Sequence, residues 1–315
     1  MNMIFQLLDY TQQIPPFLPD NPFQSDGFLC LFRGCKHSKA YLATVMADEK
    51  LIVAQPIIIH RFIPFLPAAL GSYCVANYPP HINHQFDNTT LYQAICFLLT
   101  KSCQYLHHKA FYIEFRHFNV HPDIPFDQIF ASHKFDKIPW YNCVVDFQSP
   151  KQFVANLTRN RRNELRQALN SDATVSTNPT NQQWDEFYNV ISAFYKKIHR
   201  PFPEKTLFHN LLLNRNIAIP AIISIENRVV GGAILLKSNT CGYTWHYYAL
   251  KLHNQPNLTL LTIYKLILTL SDSGISRLDF MGAGRQNTHS GIRQFKLSLG
   301  GRLVDECRYR RRLIF

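Results

Sequence analysis

Three consecutive segments of the second half of the chain, residues 217–225, 229–237 and 243–250, are rich in apolar and aromatic residues and predict β-strands. The turn Glu226-Asn227-Arg228 predicts that the first two segments form a hairpin. Residues 257–272 then show helical periodicity, and in residues 277–281 polar and apolar residues alternate, as they do in a strand. The pattern predicts a strand meander, a helix and a further strand.

The first half of the chain repeats this order of elements. Strands are predicted at residues 28–33, 40–46, 51–60, 72–76 and 110–116, with a helix over residues 89–107. We read the Pro-rich and polar residues 1–27 as a lead-in segment. The predicted fold is α/β (α+β), with two domains at residues 1–145 and 146–315. Each domain should be a mixed, mostly antiparallel sheet flanked by helices.

An arginine-rich helix is predicted to open the second half. Ser149-Pro150 suits a helix start, and the helix should run unbroken to about residue 170. Arg159, Arg162 and Arg166 share one stripe of it, which suits either phosphate groups or a solvated surface. This helix follows a strand that is predicted to start at residue 141. Two more helices are predicted after it, at residues 182–198 and 203–214. The pattern of residues 302–314 predicts a basic final strand.

The amino-acid composition indicates which kinds of partner the protein binds, but it does not indicate which reaction it catalyses. The chain has 315 residues, 46% of them hydrophobic, and a net charge of +12, which favours an anionic partner. No window predicts a signal peptide or a membrane-spanning helix, so we expect a cytoplasmic protein. The eight cysteines include no CxxC pair, and the histidine pairs 81/84, 107/108 and 117/121 lack further ligands, so no metal is expected.

The most polar loop of the chain follows the strand at residues 277–281. Gly282-Ala283-Gly284 permits a tight turn, and residues 285–290 (RQNTHS) are all polar. Arg293 and Lys296 lie in the next ordered segment, which Gly300-Gly301 closes. Such a loop suits an anionic ligand or, alternatively, a solvated hairpin.

Several short motifs together resemble the Fem family of peptidoglycan-bridge aminoacyltransferases and related GNAT acyltransferases. In the second half the motifs are Val145-Asp146, Arg159-x-x-Arg162, Val230-Gly231-Gly232-Ala233, Trp245-His246-Tyr247-Tyr248-Ala249, Leu278-Asp279-Phe280 and Phe295-Lys296-x-x-Leu299-Gly300. The last of these is the most specific. Gln55-Pro56, Leu66-Pro67 and Ile113-Glu114 match more loosely in the first half, so the resemblance spans almost the whole chain. The resemblance implies two GNAT-like domains in tandem.

The resemblance also implies the chemistry. Such enzymes pass an acyl or aminoacyl group from a thioester or aminoacyl-tRNA to an amine, here of a cell-envelope or polysaccharide precursor, with no covalent enzyme intermediate. The catalytic candidates are Lys296, Tyr248, His246 and Asp279. The substrate-binding candidates are Arg162, Arg159, Arg285, Asn287 and Arg293. Lys296, placed before a Gly-Gly turn, is expected to have its ammonium free to reach a cleft.

The donor and the partners stay open at the level of sequence. Neither residues 78–85 nor residues 251–257 contain the glycines of a CoA pyrophosphate loop, which favours an aminoacyl-tRNA or an unusual acyl donor. The choice between an acyl-CoA and an aminoacyl-tRNA stays open, and no tightly bound cofactor is expected. The expected acceptor is phosphorylated or glycan-linked. Transfer RNA is a further candidate partner, as is a membrane surface touched by Phe62, Phe65 and Trp140. The alternative is a catalytically degenerate tandem GNAT that binds RNA, lipid phosphate or an acidic glycan.

Overall fold

The apolar positions of the sequence gather into two hydrophobic cores, each in its own part of the chain. The computed structural model describes residues 2–9, 12, 20–118, 123–252 and 256–313. Unit 1 comprises Met1–Trp140 and Asp305–Phe315, and unit 2 comprises Tyr141–Val304.

The elements are numbered along the whole chain. The strands are β1 (Ile4–Leu8), β2 (Ser38–Ala47), β3 (Lys50–Arg61), β4 (Ser72–Asn77), β5 (His81–Ile82), β6 (Tyr112–Phe118), β7 (Asp136–Asp146), β8 (Thr174–Ser176), β9 (Ala218–Ile225), β10 (Arg228–Lys237), β11 (Gly242–Ala249), β12 (Arg277–Arg285) and β13 (Arg302–Arg312). The helices are α1 (Asp26–Cys30), α2 (Ala68–Gly71), α3 (Asn88–Leu106), α4 (Phe126–Ser132), α5 (Pro150–Asn156), α6 (Arg159–Leu169), α7 (Asn181–Lys197), α8 (Lys205–Leu213), α9 (Leu258–Asp272) and α10 (Gly291–Ser298).

The sheet of unit 1 has the order β1-β2-β3-β4-β6-β13, and β5 pairs with β3. Its described pairs are antiparallel except β4 with β6. Apolar side chains of α3 and α4 pack on one face, where Leu98, Phe115 and Phe130 are almost fully buried. The Asp87 carboxylate caps α3 by accepting a hydrogen bond from the Thr90 N–H.

The sheet of unit 2 has the order β7-β12-β11-β10-β9-β8, with β9, β10 and β11 antiparallel and β11 parallel to β12. Helices α5, α6 and α9 form the core on one face. Helices α7 and α8 cover the other face, where the Trp184 indole N–H donates to the Phe208 carbonyl over 2.8 Å. Each unit is thus a mostly antiparallel sheet flanked by helices, as predicted.

Three local predictions were wrong. Residues 28–33 were predicted as a strand, but Ser25 caps α1 there, and the neighbour of β2 is instead β1, within the predicted lead-in segment. The helix predicted over residues 149–170 is two helices, because Leu157 leaves helical geometry with ψ of 147°. The C-terminal strand was assigned to the second domain, whereas the structure places Asp305–Phe315 in unit 1. There β13 pairs with β6, which covers an edge that would otherwise be open.

Candidate functional site

The parallel strands β11 and β12 separate soon after they begin. Their paired residues are Gly242 with Leu278 and Tyr243 with Asp279. Strand β11 continues to Ala249 along β10, and β12 continues to Arg285. Because alternate peptide groups of a strand point to opposite neighbours, the β12-facing groups of residues 244–249 open onto a cleft. We call this cleft the splay.

The equivalent parallel pair of unit 1 does not separate in this way. Strands β4 and β6 pair from Cys74–Ile113 to Asn77–Arg116, and the Tyr78 N–H then donates to the Arg116 carbonyl over 2.8 Å. The cleft between central parallel strands is therefore a feature of unit 2.

Lys296 lies beneath one wall of the splay. The residue is 3% exposed, and its Nζ lies 2.6, 3.2 and 2.9 Å from the carbonyl oxygens of Phe280, Met281 and Gly282. Three consecutive carbonyls converge because Met281 has a φ of 58°, which breaks the alternation of a regular strand. The expectation that the ammonium would be free to reach a cleft is wrong, since α10 turns the side chain inwards.

Asp279 supports the same break in β12. Its Oδ1 accepts a hydrogen bond from the Met281 N–H over 2.5 Å, and its Oδ2 accepts one from the Asn142 amide over 2.9 Å. The residue is 7% exposed. These two contacts orient the backbone of β12, so the position of Asp279 suits a structural role better than that of a general base.

His246 follows a bulge in β11. Ile234 pairs with His246 and Leu235 with Thr244, which leaves Trp245 as the extra residue. The His246 Nδ1 lies 3.2 Å from the Tyr195 hydroxyl oxygen, and the rings of Tyr195 and Phe202 pack around the imidazole. Burial lowers the pKa of His246 to about 3, so the ring is neutral near pH 7. Its buried Nε2 has no hydrogen-bond partner among the described residues.

Comparison with known proteins identifies the architecture. No family model and no curated protein matches the chain. Among solved structures, FemX is 13% identical, with a TM-score of 0.65 over 94% of this chain and 92% of that chain. A tandem GNAT protein from the clavulanic acid biosynthesis pathway is 10% identical, with a TM-score of 0.61 over 99% of both chains.

The chain has the tandem GNAT fold. A third similar structure is the C-terminal domain of a putative lysylphosphatidylglycerol synthetase from Agrobacterium fabrum, which is 11% identical with a TM-score of 0.59 over 90% of this chain and 85% of that chain. Identities this low establish the fold and leave the reaction to the residues of the tandem GNAT chain itself.

The tyrosines beside His246 lie on opposite faces of β11, as the alternation predicts. Tyr248 stacks on Phe194 of α7 with ring centroids 4.0 Å apart, on the face of His246. Tyr247 packs towards Phe295 and the core of unit 2. Burial raises the pKa of both hydroxyls, so both stay protonated near pH 7. Tyr248 is therefore a hydrogen-bond donor on the face that carries His246.

The predicted substrate-binding residues divide into two groups. The Arg162 guanidinium donates to the carbonyls of Ala155 and Leu157, where it caps the end of α5. Arg293 donates to the carbonyls of Ala283, Gln286 and Arg285 and lies over the Tyr141 ring, so it holds the polar loop in shape. The exposed residues of the set are Arg159, Arg285 and Asn287. Among the five, these three are the most exposed, where an anionic ligand can reach them, whereas Arg162 and Arg293 are partly buried.

The sequence did not single out Tyr195 and Asn142. Tyr195 belongs to the broad apolar face of α7, which the periodicity assigns entirely to the core. Asn142 is a lone amide in a strand, with no neighbouring pattern that predicts its bond to Asp279. The one available signal was that a tyrosine hydroxyl in a buried face needs a partner.

Among the histidines considered for a metal, His117 instead places its Nδ1 3.0 Å from a Glu306 carboxylate oxygen. Its spacing partner His121, like residues 253–255 of the loop before α9, lies outside the described residues. No cluster of three or more potential metal-ligating side chains occurs in the described parts of the chain.

Within those parts, every helix is too short or too polar to cross a bilayer. The ring of Trp140, considered for membrane contact, lies under the Arg308 guanidinium, whereas Phe65 is 87% exposed.

Proposed function

We propose that this tandem GNAT chain transfers an acyl or aminoacyl group to an amine, and that the acyl carbonyl of the donor sits in the splay of unit 2. The observation that carries the proposal is the separation of β11 and β12 after two paired residues. Backbone N–H groups left facing the cleft are preorganised donors for a carbonyl oxygen that gains negative charge during attack. Unit 1 has no such opening between β4 and β6, which supports unit 2 as the reacting half.

The side chains around the splay suit catalysis by positioning. Tyr248 stays protonated and can donate a hydrogen bond to the developing oxyanion or to the leaving group. His246, with a pKa of about 3, is too weak a base to remove a proton efficiently. Its neutral ring would instead be a positioning group beside the splay, with Nδ1 within hydrogen-bond distance of the Tyr195 hydroxyl, while the proton of the attacking amine leaves to water. Thioesters and aminoacyl esters are already activated, so orientation supplies much of the rate.

The donor we favour is an aminoacyl-tRNA. The stretch between β11 and α9, residues 250–257, contains no glycine, so it lacks the usual backbone cradle for a CoA pyrophosphate. A net charge of +12 suits a polyanionic donor. One similar fold belongs to a protein named FemX and another to a putative lysylphosphatidylglycerol synthetase, which makes aminoacyl transfer the first reaction class to test. The acceptor would be an amine of a phosphorylated or glycan-linked envelope precursor.

The experiment pairs a donor panel with an acceptor panel. Radiolabelled aminoacyl-tRNAs and acetyl-CoA are each incubated with the purified chain and with amine-bearing envelope precursors or phosphatidylglycerol vesicles. We expect saturable transfer from one donor class. Tyr248→Phe and His246→Gln should each lower transfer by about tenfold to a hundredfold, as the loss of one well-placed hydrogen bond does. Tyr92→Phe, a change at an exposed tyrosine of α3 in unit 1, is the control and should transfer normally.

Two outcomes would contradict this function. If the chain binds tRNA with a steep dependence on salt but transfers nothing, the binding-module alternative takes its place. If transfer occurs but neither splay variant lowers it, the reaction lies elsewhere in the chain. Lys296→Ala is unsuitable for this test, because a buried ammonium that holds three carbonyls affects folding before it affects binding.

A further inference from the structure

One face of the unit 1 sheet carries charge in place of apolar side chains. Along β6, Ile113 and Phe115 point into the core, so Tyr112, Glu114 and Arg116 lie on the opposite face. The register Arg310–Glu114 places arginines of β13 on that same face. This face is separate from the splay, which belongs to unit 2.

Three guanidinium groups surround one carboxylate on this face. Glu114 is fully buried, and its Oε1 accepts hydrogen bonds from Arg116 Nε over 2.5 Å and from Arg308 Nη1 over 3.2 Å. Its Oε2 accepts from both Nε, over 2.7 Å, and Nη2 of Arg310. We call these three arginines with Glu114 the arginine cluster.

The cluster keeps an excess of positive charge at neutral pH. Burial opposes ionisation of Glu114, but the charges of Arg116 and Arg308 and the hydrogen bonds of Arg116 and Arg310 lower its pKa to about 2. Burial lowers the pKa of Arg308 to about 10, which still leaves it charged. A second carboxylate, Glu306, acts on Arg308 at longer range and lies within hydrogen-bond distance of His117. Three positive charges directly contact the charge of Glu114, and they remain in excess even when Glu306 is counted as a second negative charge.

The carboxylate lies at the bottom of the cluster and the guanidinium groups reach the surface. The side chains of Arg116, Arg308 and Arg310 are 29%, 16% and 39% exposed, against 0% for Glu114. Within the described part of the chain, the Arg116 guanidinium donates a hydrogen bond through Nε alone, so the N–H groups of both Nη atoms remain available to a ligand. A planar guanidinium with two donors directed away from its counterion matches the oxygens of a phosphate group.

Aromatic rings hold two of the guanidinium planes in place. Arg308 lies 3.6 Å from the centroid of the Trp140 ring, and Arg310 lies 5.0 Å from that of Tyr112. Tyr112 in turn stacks on Tyr73, with centroids 5.5 Å apart and planes 15° apart. Stacking of this kind lowers the entropy that the arginines lose when they bind an anion.

We propose that the arginine cluster binds a phosphate group of a small-molecule ligand. Three guanidinium groups that share one carboxylate span a patch only a few ångströms wide, enough for a phosphate or diphosphate and too small for the backbone of a nucleic acid. A purely structural ion pair would need one or two of these arginines, because Arg310 alone donates two hydrogen bonds to Oε2 and one further arginine would satisfy Oε1. The site does not depend on the chemistry proposed for unit 2.

The test measures binding of inorganic pyrophosphate to the full chain by calorimetry. Arg116→Gln removes the guanidinium with free donors and should weaken binding by about tenfold or more. Glu114→Gln removes the internal competitor and should strengthen binding by about tenfold. Lys39→Gln removes one exposed charge from β2, on the core-facing side of the same sheet, and should change binding by less than about twofold.

Folding of the variants does not limit the test, because a second measurement uses only the wild type. Phenylglyoxal modifies accessible arginines, and peptide mass spectrometry should show pyrophosphate protecting Arg116, Arg308 and Arg310 while Arg285 reacts as before. Arms with ADP and farnesyl diphosphate tell whether the phosphate belongs to a nucleotide or to a lipid. The proposal is overturned if pyrophosphate does not bind, if it protects none of the three, or if Glu114→Gln folds and binds more weakly.

Discussion

Lys296 lies in a sequence motif that resembles one of the Fem family, but its contacts differ from those that the resemblance led us to expect. The motif placed a lysine beside a polar loop, and the structure places its ammonium under the carbonyls of residues 280–282. In this position the ammonium satisfies three backbone carbonyls at the break in β12. The lysine therefore stabilises the wall of the splay that β12 forms.

Replacing Lys296 with methionine should lower the free energy of unfolding by roughly 3 kcal/mol or more, because each buried carbonyl left without a donor costs about 1–3 kcal/mol. Methionine keeps the length of the side chain, so packing changes little. Urea denaturation measures the effect. The control is Lys205→Met, whose side chain is 57% exposed in an ion pair with Asp185 and which should cost less than about 1 kcal/mol. Equal losses in the two variants would contradict the role given to Lys296.

The neutral His246 makes stability depend on pH. Its pKa is about 3 in the folded chain, against 6.5 for an ordinary histidine, so between these values the unfolded chain binds a proton that the folded chain does not. The folded state therefore loses stability as pH falls from about 6.5 towards 3. We expect the drop in urea midpoint between about pH 7 and about pH 5 to be smaller in His246→Phe than in the wild type.

The matched control for His246 is His209→Gln, a change at an exposed histidine of α8. It should keep the drop in midpoint seen for the wild type. A His246→Phe protein whose midpoint falls as steeply as that of the wild type would show that burial does not keep His246 neutral in the folded state.

Among the elements, α10 depends on the two glycines that follow it for its packing against the rest of unit 2. At Gly301 a Cβ would lie 2.4 Å from the Cys143 sulfur and 2.7 Å from the Lys296 carbonyl oxygen. Gly300, with a φ of 80°, makes the preceding turn. The Gly-Gly pair therefore lets the chain leave α10 in close contact with β7.

Gly301→Ala should destabilise the chain by about 1–3 kcal/mol through overpacking. Gly291→Ala provides the comparison, because Gly291 is the first residue of α10 and no atom lies within 4 Å of an added Cβ. That variant should be neutral, or more stable by up to about 1 kcal/mol. Thermal unfolding of both variants distinguishes them, and a Gly301→Ala protein as stable as Gly291→Ala would refute the close packing.

The sequence predicted elements well where one periodicity ran without interruption, and poorly where a single backbone angle decided. Strands β2, β3, β9 and β10 were found within two residues of their observed ends, because their apolar runs are long and bounded by turns. The break at Leu157 depends on one ψ value that no local residue type requires. The prediction for Lys296 in the site failed for the same reason, since the positive φ of Met281 turns the carbonyls towards its ammonium.

At the scale of the whole molecule, two similar topologies carry different features. Unit 2 has the splay, with the bulge and the buried histidine beside it, whereas unit 1 keeps its parallel strands paired and carries the arginine cluster. The order of elements along the sequence predicted the repeat, but it could not predict that the two copies had diverged. That difference appears only in the register of one strand pair in each unit.

Deleting residues 305–315 should unfold unit 1 and spare unit 2. The deletion removes Cys307, Tyr309 and Leu313 from the core of unit 1 and none of the core of unit 2. Hydrogen-exchange mass spectrometry should show lost protection in peptides from residues 20–118 and retained protection in peptides from residues 141–304. Tyr309→Phe, which keeps the ring and loses only a hydrogen bond to Asp127, should leave both units protected. Loss of protection in both units of the deletion variant would show that they unfold together.

The position of β13 in the sequence also affects the order in which the two units can fold during synthesis. Synthesis of β6 ends at residue 118, but β13, its neighbour on the side opposite β4, begins only at residue 302. At about 5–20 residues per second, the edge of β6 waits on the order of tens of seconds for its partner. During that interval the Glu114 carboxylate lacks both arginines of β13, and unit 2 can fold first although it is translated second. Unit 1, most of which is translated before unit 2, is therefore completed after unit 2.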